Sequence, residues 1–294
     1  VRTALGVSHE EALQLAGSVR EKLGLRANET IREAGRAIEA AEKAGGLKHL
    51  PDTAAQFHSR AGWAPERAAL HKEYAAKVVE NVPRTSEPTV YMTGGGPASG
   101  KTTGLLENPG AGIPGKGKAA HIDADGAKAD LPEYRRGVAA GDRGAAAHVH
   151  EESSYMAKTA IRNALESGHD VVFDSVGDNG IRKLEEKVND MRAAGAKRIV
   201  ANYATTDVDE AIRRSDARAE QTGRFVPHDV ITYAHADVVH TLNAAIARGT
   251  FDELKVWDTS TRTPKLIAEY TKEGGLQVRD QAAWKAHLAR GVYR

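Results

Sequence analysis

The 294-residue sequence has no cysteine. Disulfides and thiolate zinc sites are therefore excluded, and the chain is compatible with a reducing compartment. Aromatic residues make up only 5%, which leaves little material for the base-stacking platforms of single-strand nucleic-acid binders. No sign of charge dominates either. Lys and Arg number 41 against 40 Asp and Glu, a formal net charge of +1. That balance argues against a polyanion-binding surface and a nucleic-acid partner. No apolar run approaches the length of a membrane span and no secretory leader opens the sequence, so the expectation is a cytoplasmic protein with no membrane partner. The chain opens on Val1 rather than methionine, as an excised or processed chain would. The rest is ordinary for a globular protein, 40% hydrophobic and 28% charged. The length allows one large domain, or a core domain with additions.

The hydrophobic pattern divides the chain in two. Residues 8–45 read as helical: Ser8 and Glu11 form a capping box, and Leu13, Ala16, Val19 and Leu23 follow helical spacing. Asn28 is a second cap, for a helix that ends at Gly45-Gly46. Pro65 starts a third helix, expected to run to about Asn81, and Pro83–Pro88 reads as a linker. From Thr89 strands alternate with helices, the signature of a parallel sheet. Strands are expected at 89–93, 119–123, 170–174 and 197–204. Helices are expected near 101–107, 144–167, 178–194, 207–221 and 228–248. Short strand pieces at 254–257 and 266–268 and a helix near 280–290 complete the tail. The expected fold is α/β: a P-loop NTPase-type parallel sheet flanked by helices, with a helical N-terminal extension. Residues 1–64 would form the extension and 65–294 the P-loop domain.

The most informative stretch runs from Gly94 to Thr103. Gly95, Gly100, Lys101 and Thr102 fit G-x-x-x-x-G-K-[ST], after the β-prone Val90-Tyr-Met92 and before the helix-capable Leu105-Leu-Glu107. The chemistry of phosphate binding needs these residue types. Gly94, Gly95, Gly96 and Gly100, with Pro97, Ala98 and Ser99 between them, let successive N–H groups turn inward toward phosphate oxygens. A following helix would add its positive end. Lys101 would reach the β- and γ-phosphates, and Thr102, beside Thr103, would offer a hydroxyl to Mg²⁺. The implied cofactors are ATP or GTP, with Mg²⁺.

Other constellations follow the strands. His121-Ile-Asp123-Ala-Asp125 closes the second strand, at the edge where open parallel sheets bind ligands. The two carboxylates would lie beside the phosphate loop, one toward the nucleotide and the other toward the second substrate, and Asp125 could accept a proton from an attacking hydroxyl. The competing reading makes one of them a helix cap. Asp174 closes the third strand, as a Mg²⁺-orienting carboxylate or as turn chemistry. His148, His150, Glu151, Ser153 and Ser154 open a helix. The two histidines are spaced for a strand rather than a helical zinc site, so contact with substrate or a solvated face are the readings left. Arg214 and Arg218 share a helix face and Arg224 follows Gly223. A row of guanidiniums suits a lid over a moving phosphate. The bland alternative is pairing with Asp209, Asp216 and Glu220 on an exposed face.

Taken together, Gly94–Thr103, Ile122-Asp-Ala-Asp125, His150-Glu-Glu-Ser153, Val172-Phe-Asp174 and Arg214-x3-Arg218-x5-Arg224-x-Val-Pro227 resemble the zeta-toxin family of P-loop kinases. The resemblance runs from about Leu70 to Pro227, with a looser match through the tail. It implies transfer of the ATP γ-phosphate to a sugar hydroxyl. The family's best-known acceptor is the 3′-hydroxyl of the amino sugar in UDP-N-acetylglucosamine, and its phosphorylation starves cell-wall synthesis. The resemblance puts the general base at Asp125, the phosphate-loop cation at Lys101, the Mg²⁺ hydroxyl at Thr102 and lid arginines among Arg214, Arg218 and Arg224. It also implies a sugar-nucleotide substrate and an antitoxin, acting in trans or as an N-terminal restraint in cis. Lys158 falls where the family carries a glutamate on the helix after the HEES-like element. Two alternatives stay open: a kinase for another acceptor, such as a nucleotide or polynucleotide end, and a nucleotide-binding module with slow hydrolysis.

Overall fold

The computed structural model describes residues 51–140, 145–175, 180–222 and 228–291. The helices expected over 8–45, and Arg224 with its neighbours, lie outside the described residues.

Three short elements that the sequence pattern did not announce come first. Helix α1 (Thr53–Phe57) is capped by Asp52, whose carboxylate accepts from the Ala54 N–H at 2.7 Å. A hairpin of two residues a side, β1 (His58–Ser59) and β2 (Gly62–Trp63), follows. Helix α2 (Pro65–Val78) opens on proline, where the missing N–H costs no helical bond. It stops short of Asn81, which takes a left-handed φ of 60° that a helix cannot continue through.

A seven-stranded sheet begins at Thr89. Its strands in chain order are β3 (Thr89–Gly94), β4 (Ala120–Ile122), β5 (Val171–Asp174), β6 (Arg198–Thr205), β7 (Glu253–Asp258), β8 (Lys265–Thr271) and β9 (Gly275–Val278). In space they run β4-β5-β3-β6-β7-β8-β9. The first five are parallel, and β8 and β9 add an antiparallel meander. Parallel strands are covered on both faces, which is why they read as nearly unbroken apolar runs; in β6 every residue after Arg198 is buried. From β3 the chain goes out to the edge strand β4, returns to β5 beside β3, then crosses to β6 on the other side. The loop after β3 therefore sits at the switch point, outside the carboxyl ends of the strands.

The remaining helices are α3 (Ala124–Asp130), α4 (Pro132–Ala139), α5 (Ala145–His148), α6 (His150–Glu166), α7 (Ile181–Ala193), α8 (Val208–Thr222), α9 (His228–Arg248) and α10 (Gln281–Ala289). Two expectations need correction. The helix expected over 144–167 is interrupted at the buried Val149, which leaves α5 and α6 as separate helices. The helix expected near 101–107 is only a five-residue π-helical turn, Thr102–Leu106. Asn108 closes it by donating to the Gly104 carbonyl at 3.1 Å, and Pro109 then begins a 3-10 turn, Pro109–Ala111. So short a turn has little macrodipole to offer, and backbone N–H groups and Lys101 must supply the positive field.

The described chain forms two compact units. One takes residues 51–78, 123–160 and 218–230; the other takes 79–122, 161–217 and 231–291 and holds the sheet.

Candidate active site

The phosphate loop belongs to the unit with the sheet. Gly95 has φ 142° and Gly100 φ 78°, values closed to most side chains, so these two glycines are required by the turn itself. Ala98 also takes a positive φ, 55°, a conformation that costs a non-glycine residue roughly 1 kcal/mol and recurs at ligand-clamping loops. Lys101 Nζ folds back over the loop and donates to the carbonyls of Gly95 at 3.1 Å and Gly96 at 3.5 Å. The Thr102 and Thr103 side chains are exposed at its end.

Two sequence-picked residues stand with the loop. Asp174 ends β5 in register with Thr93 of β3, and the Thr93 hydroxyl donates to its Oδ1. Arg214, on α8, lies against the loop: a Cβ built on Gly100 would be 3.1 Å from its guanidinium. Its Nε donates to Glu210 at 2.7 Å and another nitrogen donates to the Thr259 carbonyl at 2.6 Å. Helical pairing and placement beside the loop thus hold together, with Glu210 as the partner rather than the acids weighed from the sequence. Arg218 follows four residues along α8 and is half-buried.

The structure adds loop contacts that no motif signalled. His235, on α9, is 4% exposed and its Nε2 is 3.0 Å from the Pro97 carbonyl. Burial lowers its pKa to about 4, outweighing the bond to Pro97, so the neutral ring donates Nε2–H to that carbonyl. Gly96 has no room for a side chain, because a Cβ there would come within 2.5 Å of the His235 ring. On the other flank the Thr259 hydroxyl lies 2.6 Å from the Ser99 carbonyl and 3.0 Å from that of Thr205.

The remaining candidates belong to the other unit. Asp123 and Asp125 were expected to close the second strand, but neither belongs to it. The strand stops at Ile122; Asp123, extended at φ −142°, caps α3 by accepting from the Gly126 N–H. Asp125 is in the first turn of α3, exposed, with Lys128 Nζ 3.1 Å from its carboxylate. The Tyr74 hydroxyl donates to the Asp123 carbonyl at 3.2 Å, and burial pushes that phenol well above its ordinary pKa.

The HEES-like element opens α6. The Ser153 side chain is buried and donates to the His150 carbonyl at 2.9 Å, Ser154 is half-buried, and the exposed Glu151 donates its N–H to Asp52 at 2.9 Å. His148 and His150 flank the Val149 break, and Lys158 is exposed on α6. The anchor of the element is a residue not chosen from the sequence. Glu152 is fully buried and grips Arg67 in two hydrogen bonds, from Nε at 2.8 Å and from a terminal nitrogen at 2.5 Å. His71 Nε2 is 2.7 Å from the same carboxylate, and Glu133 pairs with Arg67 at 3.0 Å. Burial alone would raise the Glu152 carboxyl; the bonds to His71 and Arg67 overcome it and hold the pKa at about 2. Phe57 lies under the Arg67 guanidinium at 4.4 Å, and Trp63 packs on His71 and Tyr155. Residues 52–63 are thus tied to α2 and α6 by these contacts.

Sheet order, loop and switch point define a P-loop α/β protein of the kinase type. The Zeta toxin family model matches residues 72–267, and the chain belongs to that family of P-loop kinases. No curated protein matches it significantly. Among solved structures it is similar to AvrRxo1-ORF1:-ORF2 with ATP, at a TM-score of 0.60, 15% identity, and coverage of 83% of this chain and 84% of that one. It is also similar to a structure of the PezAT chromosomal toxin-antitoxin system of Streptococcus pneumoniae, at a TM-score of 0.60, 11% identity, and coverage of 79% and 91%. At those identities the likeness is one of fold.

Proposed function

We propose that the protein transfers the γ-phosphate of ATP to a sugar hydroxyl, with the 3′-hydroxyl of the amino sugar in UDP-N-acetylglucosamine as the acceptor, and that it acts as a toxin on cell-wall synthesis. The observation that carries the reading is the loop itself: Gly95 and Gly100 at positive φ, with Lys101 folded over the turn. In this proposal the loop N–H groups and Lys101 hold the polyphosphate, and Arg214, Arg218 and Arg224 neutralise charge as the phosphoryl group moves. Asp125 is the general base. Its support is its place in the chain, three residues beyond the carboxyl end of β4 and exposed to accept a proton. Asp123, His150, Glu151, Ser153 and Ser154 are proposed to bind the acceptor.

The Thr102 hydroxyl and the Asp174 carboxylate are hard oxygen donors, the kind Mg²⁺ takes alongside phosphate oxygens, so the residues present fit that ion. When bound, Mg²⁺ would neutralise β- and γ-phosphate charge. ATP as donor, rather than GTP, is supported by the ATP-bound AvrRxo1 structure, and an antitoxin partner by the PezAT system. Residues 1–64 are proposed as an extension to a kinase domain at 65–294, with restraint in cis as the alternative to an antitoxin in trans. A cytoplasmic site of action follows from the acceptor; among the described residues no helix is long and apolar enough to cross a membrane.

The test incubates the protein with Mg·ATP, with and without UDP-N-acetylglucosamine, and follows the sugar nucleotide by mass. One added phosphate that disappears with Asp125→Asn is the expected result. An unmodified sugar nucleotide in the presence of bound ATP removes this acceptor.

A further inference from the structure

Helix α10 and Arg290 lie beyond the residues matched by the family model, yet they reach the carboxyl edge of the sheet. Asp280 caps α10, accepting from the Ala283 N–H at 2.9 Å, and the helix buries Trp284 and His287. His287 stacks on Trp284 and its Nδ1 is 3.0 Å from the hydroxyl of Thr205, the last residue of β6. One terminal nitrogen of Arg290 donates to the same hydroxyl at 2.6 Å.

The position is next to the phosphate loop. A Cβ on Gly95 would come within 2.6 Å of the Ala204 carbonyl, the residue before Thr205. The Thr205 carbonyl accepts from the Thr259 N–H at 2.8 Å, and the Thr259 hydroxyl is 2.6 Å from the Ser99 carbonyl.

Arg290 is half-buried and its guanidinium carries five donors, yet among the described residues that group's one hydrogen bond goes to a neutral hydroxyl and it makes no ion pair. The nearest acids are committed elsewhere. Asp207 accepts from the N–H groups of Asp209 and Glu210, and Asp258 accepts from that of Ser260. Burial accordingly lowers the Arg290 pKa, with only a partial offset from Asp258 and Asp207. A guanidinium half-withdrawn from water, and offset only in part by Asp258 and Asp207, gains from an anion that a bound molecule supplies.

We infer that Arg290 is a phosphate-binding residue of the nucleotide end of this protein, completed by a phosphate oxygen of a bound substrate. The inference rests on the kinase reading. The phosphate could belong to the donor nucleotide or to the diphosphate of a sugar-nucleotide acceptor, and the two arms of the test separate them.

Titration calorimetry on the full chain would measure binding of Mg·ATP and, separately, of UDP-N-acetylglucosamine. The proteins compared are the wild type, Arg290→Gln, Arg290→Lys and Thr205→Val, with thermal melts alongside. Loss of a charge-assisted bond predicts weakening by about tenfold or more of one of the two with Arg290→Gln. Arg290→Lys should recover part of that, and it stands in should the glutamine variant unfold. Thr205→Val removes the hydroxyl but keeps the cation, so it should cost less than Arg290→Gln. Wild-type affinity of Arg290→Gln for both probes overturns the inference, and so does a Thr205→Val variant as weak as Arg290→Gln, which would make Arg290 a brace. A wild type that does not bind Mg·ATP overturns the kinase reading and this inference with it.

Discussion

His235 Nε2 lies 3.0 Å from the carbonyl oxygen of Pro97, so a buried helix holds the phosphate loop by its outer backbone. Burial keeps the ring neutral, against the bond itself, which would favour the imidazolium. His235 and His287 have pKa values of about 4 and about 3, against about 6.5 for an unfolded histidine. As pH falls below 6.5 the unfolded chain takes up protons first, and each ring lowers stability by up to about 1.4 kcal/mol per pH unit until its folded pKa is reached. The urea midpoint of the wild type should therefore drop steadily from pH 6.5 to 4.5. His235→Gln should show a shallower drop. Identical slopes for the two proteins would count against a neutral buried His235.

Gly96 and His235 are coupled by contact, because a Cβ on Gly96 would lie 2.5 Å from the ring. Gly96→Ala is expected to cost about 1–3 kcal/mol through overpacking. In a His235→Ala background the same change should cost less, with a coupling of at least about 0.5 kcal/mol. Urea unfolding of the four proteins measures this, and strict additivity would show that loop and ring move independently.

Arg67 and Glu152 form a buried pair, and removing the Glu152 charge leaves the buried Arg67 with Glu133 alone. Glu152→Gln is expected to lose about 3–5 kcal/mol at pH 7. The direction with pH is the same as for the histidines, because here too the folded pKa lies below the unfolded one, but the window is more acidic. Glu152 sits at about 2 against about 4.3 unfolded, so its contribution is present above 4.3 and fades as pH falls toward 2. Denaturation of the variant and wild type at pH 7 and pH 3 should show the gap narrowing in acid.

Among the described residues the Lys101 ammonium hydrogen-bonds only two loop carbonyls, at 3.1 and 3.5 Å. Lys101→Met should leave the melting temperature nearly unchanged while turnover falls on the order of 10²–10³, the scale of one lost transition-state donor. A melt lowered by many degrees would instead make Lys101 structural.

Much of the sheet was legible because a doubly covered parallel strand has to be apolar nearly throughout. The strands expected at 89–93, 119–123, 170–174 and 197–204 appear within a residue or so of those bounds. The strand β9 was not seen, since Gly275-Leu-Gln-Val278 is short and Leu276 is exposed, so no alternation marks it. The loop was readable from its glycines and lysine because its backbone needs them. His235, Thr259 and Arg290 were not, because each meets the loop region or its flank across 138, 160 and 85 residues of sequence with an ordinary side chain. Glu152 was overlooked beside its more conspicuous neighbours; only its burial against Arg67 distinguishes it from Glu151.

The sheet ends on short strands, β4 with three residues and β9 with four. An edge strand is a template on which a foreign or identical chain can add itself, and the hazard grows with the length of unpaired backbone. The long strands, β6 with eight residues among them, are enclosed on both sides by neighbours. The sheet thus exposes little ladder for uncontrolled polymerisation, a useful property in a chain with so apolar an interior, and one that should let it be concentrated for calorimetry without forming fibres.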